Sequence, residues 1–211
     1  VPRISLRLII VLAAAALSVT LLSWSLWPPG RLVHQQPLRP DRTQLPGAHT
    51  FSLDFPPVIR FGEADRVRLT LEAGDQAQAP GIPTIYDNDD VLAEARLEMA
   101  GMGVRPADTV SEPLLPGQGV TFFWSVHPSQ VGRFTGTLWF YLRFVPKNGG
   151  PERRQAILAQ NIEIESSALF GLQAETARWL GLAGIFISSL FGFSFFIGAF
   201  KWLWKKMRRG V

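Results

Sequence analysis

Two stretches without a single charge decide most of what this chain can become. Residues 8–27 read "LIIVLAAAALSVTLLSWSLW", and residues 179–204 read "WLGLAGIFISSLFGFSFFIGAFKWLW", uncharged as far as Phe200. An α-helix rises about 1.5 Å per residue, so some twenty residues match the roughly 30 Å of a bilayer's hydrocarbon core. Both stretches are therefore expected to be transmembrane helices. Pro28, Pro29 and Gly30 stop the first. A cleaved signal peptide is the alternative for residues 8–27. That stretch exceeds the usual ~7–15 apolar residues of such a signal. In addition, Trp24, Leu26 and Trp27 stand where small residues would mark a cleavage site. The uncleaved anchor is preferred.

Cations set the orientation. Arg3 and Arg7 precede the first stretch, and Lys201, Lys205, Lys206, Arg208 and Arg209 follow the second. By the positive-inside rule both termini are expected in the cytoplasm, with the central region periplasmic or extracellular. The basic end "KWLWKKMRRG" then holds the helix end at the anionic leaflet. The expected interface anchors are Trp24, Trp27, Trp179, Lys201, Trp202, Trp204, Lys205, Lys206, Arg208 and Arg209. The formal charge of +4 alone would suggest nucleic acid as a partner. Its distribution argues against that: residues 31–175 hold 17 acids against 13 cations, a net of −4.

The central region changes period. "RVRLTLE" sets Val67, Leu69 and Leu71 against Arg66, Arg68 and Thr70, and "EARLEMA" alternates in the same way. "GVTFFWSVHP", "GTLWFYLRFV" and "AQNIEIES" continue the pattern, and "FSLDF" opens it. Strict alternation implies strands with one buried face. A further short strand is expected around residues 82–86. Pro, Gly, Asn and Asp clusters separate the strands. The expected fold is a mostly β ectodomain, an immunoglobulin-like antiparallel β-sandwich of six or seven strands, flanked by two transmembrane helices. The boundaries follow: a cytoplasmic tail 1–7, a span 8–27, a Pro-rich connector 28–50, the sandwich 51–165, a juxtamembrane helix start 166–178 capped by Ser166 or Ser167, a span 179–204 and a basic tail 205–211. The patch formed by Leu169, Phe170 and Leu172 is expected to pack within the domain, with a partner contact as the alternative.

Chemistry is sparse. The chain has no cysteine, which removes disulfides, thiolate metal sites and cysteine nucleophiles. His34, His49 and His127 lie far apart and are expected to be exposed loop residues. "YDNDD" offers Asp87, Asp89 and Asp90 as the one weak candidate for a hard cation, although it lacks the glycine and distal glutamate of an EF-hand loop. No catalytic residue or cofactor site is nominated, since no nucleophile or phosphate-binding motif stands in its required context. Trp139 and Tyr141 would form an aromatic platform for a glycan if they lined an open groove. Residues 8–27 and 179–200 contain no ionisable residue, which argues against an ion or proton path. Gly184, Ser188 and Gly192 recur every four residues, a spacing that lets helix backbones approach. They either pack the two spans together or receive a partner helix, in a homodimer or among other membrane subunits. Phe186, Phe191, Phe193, Phe195 and Phe196 are expected to face lipid.

Val1 is read as a GTG start, which with the Arg-, Ala- and Gly-rich usage points to a bacterial gene; a trimmed end is the alternative. The functional expectation is a non-catalytic protein of the bacterial inner membrane. Its expected partners are membrane lipids and other proteins, as an accessory subunit of a membrane complex. An external module binding a glycan, lipid or cation is the alternative, and an enzyme a third.

Overall fold

The computed structural model describes residues 6–38, 45, 49–73 and 85–207, with side chains described between residues 9 and 191. The chain forms two compact units, one helical (residues 1–28 and 168–211) and one of β-structure (residues 29–167).

The β unit is two five-stranded sheets. The first runs β1 (Leu32–Leu38), β2 (His49–Phe55), β4 (Asp65–Ala73), β8 (Val120–Pro128), β6 (Met102–Arg105). The second runs β3 (Val58–Arg60), β10 (Arg153–Ser167), β9 (Gly132–Pro146), β5 (Asp89–Met99), β7 (Val110–Pro113). Every pairing is antiparallel except β3 with β10. The alternating residues face inward as their period requires. Val67, Leu69, Leu71, Trp124, Val126, Leu138, Phe140, Leu142 and Ile164 are completely buried. Phe140 meets Phe51 edge-on at 4.7 Å and Phe122 at 6.2 Å, both in one continuous core. Aromatic pairs at such angles add to the burial energy.

Several boundaries differ from those expected. Residues 32–38 of the connector 28–50 form β1 along the edge of the first sheet. "LVHQQPL" leaves every side chain but the last exposed, so it carries no alternation to read. Backbone pairing to β2 holds it, and an edge is where Pro37 can be tolerated. Strands β3, β6 and β7 are likewise three or four residues long, too short to show a period. The strand expected at residues 82–86 is not found: Ile85–Asn88 form a single helical turn, α2, and residues 82–84 lie outside the described residues. Ser166 and Ser167 end β10 instead of capping a helix.

The helical unit contains α1 (Leu6–Leu26) and α3 (Ala174–Met207). Among the described residues one segment is long and apolar enough to cross a membrane, Ile9–Leu26 in α1, and only 17% of it is buried. Helix α3 runs 34 residues, about 50 Å at 1.5 Å per residue. Before it, residues 169–172 make a small hairpin. Leu169 and Leu172 form a β-bridge, Leu172 N–H donates to Leu169 O at 3.0 Å, and both central residues have positive φ, 55° at Phe170 and 73° at Gly171. That is the geometry of a type I′ turn.

Candidate functional site

In the helical unit, small residues let the two backbones meet. A Cβ added to Gly181 would lie 3.0 Å from Ser18 O and 3.1 Å from Leu22 N; one added to Gly184 would fall on Ser18 Oγ. Ser18 Oγ itself donates to Ala14 O at 2.7 Å, which satisfies the hydroxyl within its own helix. Gly184 thus serves the contact between α1 and α3. Ser188 is half-buried, and the surroundings of Gly192 lie outside the described side chains. Where α1 ends, Arg178 of α3 donates to Ser25 O at 3.3 Å. The last carbonyls of a helix lack intrahelical partners and carry its negative pole, so a guanidinium there caps α1.

Much of the described surface of this unit is apolar, although Gln173, Glu175 and Thr176 are exposed before Trp179. Trp27 is 75% exposed, Trp179 66%, Phe186 64% and Phe191 65%. Trp24 is half-buried and has a partner. Lys201, Trp202, Trp204, Lys205 and Lys206 belong to α3, but their side chains lie outside the described ones, as do those of Phe193, Phe195 and Phe196; Arg208 and Arg209 lie outside the described residues altogether.

The outer face of the second sheet carries Trp139 and Tyr141, half-buried and stacked with ring centres 6.4 Å apart. They do not form a bare platform. The Arg154 guanidinium lies 4.0 Å over the Tyr141 ring and also pairs with Glu94 at 2.7 Å. Arg143 approaches the other Glu94 oxygen at 3.1 Å and reaches Glu152 at 3.6 Å. Glu94 is buried, so its two arginines keep a desolvated carboxylate compensated.

A second network lies on the outer face of the first sheet. The buried Asp54 accepts from Arg31 Nε and Arg68 Nη2, both at 2.7 Å, and Arg31 also reaches Asp65 at 3.1 Å. Burial pushes the Asp54 carboxyl up, but the hydrogen bonds and charges of the two arginines more than offset it and hold the group below its ordinary value. Arg31 is raised in turn, chiefly by its hydrogen bond to Asp54. These residues, with Arg66 and the half-exposed Phe123, line an open cleft of about 430 Å³.

The structure does not bring the three candidate cation ligands together. Asp87 lies in α2, while Asp89 and Asp90 begin β5 and so point to opposite faces. Asp89 is buried against Arg153 at 3.2 Å, and the exposed Asp90 lies 3.7 Å from Lys147 Nζ. Among the described residues no three His, Asp or Glu side chains converge. The histidines are also not simple loop residues. His49 is buried at the start of β2, His34 lies on β1, and His127 Nδ1 is 3.2 Å from Glu63 O.

No family model and no curated protein sequence matches the chain. Among solved structures, a chain of the complex between Zinc 2-glycoprotein and prolactin-inducible protein from human seminal plasma aligns at 9% identity and a TM-score of 0.36, covering 56% of this chain and 93% of that one. WR4, an MSP family member of C. elegans, aligns at 11% identity and 0.29, covering 53% and 94%. The seventh PapD-like domain of human CEP192 aligns at 12% and 0.30, covering 54% and 82%. Scores this low carry no functional argument, so the reading of the chain rests on its own geometry.

Proposed function

We propose that this chain is a membrane-anchored β-sandwich protein that acts by binding other proteins, as an accessory subunit of a bacterial inner-membrane complex. In this reading α1 and α3 both cross the bilayer, the termini are cytoplasmic and the β unit is external. The observation that carries it is the exposed apolar surface of the helical unit. Large side chains such as Phe186, Ile187, Leu190 and Phe191 are 52–65% exposed beside one another on α3. Water would not tolerate so extensive a patch, whereas lipid or another apolar helix covers it without cost. The uncharged run of residues 179–200, closed by a basic segment, supports α3 as the second crossing. A binding role, with no reaction, accords with acidic side chains engaged by arginines at Asp54, Asp89 and Glu94.

The test is the state of the full chain in its native membrane. Amine cross-linking before mild-detergent extraction should trap the 23.4 kDa chain in a larger species containing a second polypeptide in fixed proportion. Recovery of the chain alone, uncross-linked at native abundance, contradicts the subunit reading and leaves an external ligand-binding module as the better one.

A further inference from the structure

The turn before α3 places a phenylalanine where turn geometry asks for something else. A type I′ turn needs positive φ at both central positions, which Asn and Gly adopt readily and a bulky side chain does not. Gly171 meets that requirement; Phe170, at φ 55°, does so against its preference. The ring gains nothing from the fold in return, since Phe170 is 73% exposed, while its neighbours Leu169 and Leu172 are half-buried. An outlier of this kind persists when the side chain serves something beyond local structure.

Its location identifies what that is. The Arg178 bond to Ser25 O joins the last turn of α1 to the first turns of α3. Two exposed tryptophans of the helical unit, Trp27 just past α1 and Trp179 early in α3, therefore sit at one end of the helix pair. Phe170 stands four residues before α3 begins, at that same end. We infer that Phe170 is a membrane-interface anchor: the hairpin of residues 169–172 inserts its ring among the headgroups and upper acyl chains, in the same belt as Trp27 and Trp179. Exposed apolar side chains of both helices reach this end at Leu26, Trp27, Trp179 and Leu180, which makes lipid the occupant. The inference rests on the membrane reading above and adds a third contact, outside the helices, that sets how deep α3 sits. A helix of about 50 Å is longer than the hydrocarbon core it crosses, so an end contact is what fixes its depth.

The absence of cysteine makes the test direct. Full-length chains carrying Phe170→Cys or Ile187→Cys, each labelled with bimane, are reconstituted into phosphatidylcholine–phosphatidylglycerol vesicles. Nitroxide lipids labelled at carbon 5 or carbon 12 serve as quenchers, with iodide as the aqueous one. The label at position 170 should be quenched about two-fold more strongly by the shallow nitroxide than by the deep one, and that at position 187 in the reverse order. Iodide quenching at 170 without nitroxide quenching, while 187 responds to lipid, overturns the anchor and leaves the membrane reading standing. Lipid quenching at neither position overturns both. A second readout does not depend on folding of the Phe170→Cys variant. A label at Ile187→Cys reports the depth of α3 with and without Phe170→Asn, which suits the turn. A changed shallow-to-deep ratio supports the anchor; an unchanged ratio contradicts it.

Discussion

At the scale of single residues, the polar side chains that matter are those the fold has removed from water. Asp54 is the clearest case. Its carboxyl is held below its ordinary value in the folded chain, so the unfolded chain binds the proton more tightly. Its contribution is therefore present above the unfolded pKa of about 4 and lost as pH falls through the lower folded value. Asp54→Asn should cost about 1 kcal/mol near pH 7, discounted for the exposure of both arginines, and less near pH 2. Denaturation midpoints measured at the two pH values check this; equal losses at both would contradict it. Phe170→Asn should act in the opposite direction, raising thermal stability in detergent by about 1 kcal/mol as the left-handed turn is relieved. Little of this was legible beforehand. Arg66, Arg68 and Thr70 could be placed on the outer face by alternation. That Asp54 would be clamped by Arg31, 23 positions away, depends on β1 pairing with β2, which no period announces. "YDNDD" is a weak cation candidate for a related reason: the three carboxylates are close in sequence, yet the strand beginning at Asp89 directs Asp89 and Asp90 to opposite faces.

At the scale of elements, legibility followed burial. The strands that fill the core, β4, β5, β8, β9 and β10, repeat every two residues because each presents one face to the opposite sheet. Edge strands have no such demand, and β1 shows none. The stop before α3 was misplaced because Ser166 and Ser167 resemble helix caps, yet long-range pairing to β9 and β3 kept them extended. Between the helices, Gly184 has little tolerance for a side chain. Leucine there would drive its Cβ onto Ser18 Oγ, which already donates to Ala14 O, so Ser18 must rotate or α1 and α3 separate. Gly184→Leu should weaken their packing by about 1–2 kcal/mol. Hydrogen exchange in residues 9–26 should rise while that in residues 120–167 stays unchanged. Phe191→Leu, on the exposed side, should alter neither. Unchanged exchange in Gly184→Leu would show that the small residues are merely compositional.

At the scale of the whole molecule, the central claim is topological. Two helices enclose a β unit in sequence, and the positive charge lies at the outer ends of both. If both helices cross, the chain returns to its starting side and the β unit is left on the other. One measurement separates this arrangement from a single crossing. The chain carries no cysteine, so Gln35→Cys, on the exposed β1, and Gly210→Cys can each be labelled without background. A membrane-impermeant maleimide is applied to right-side-out and to inverted inner-membrane vesicles. The account predicts that Gln35→Cys reacts only in the right-side-out vesicles and Gly210→Cys only in the inverted ones. Labelling of both from the same side would contradict it.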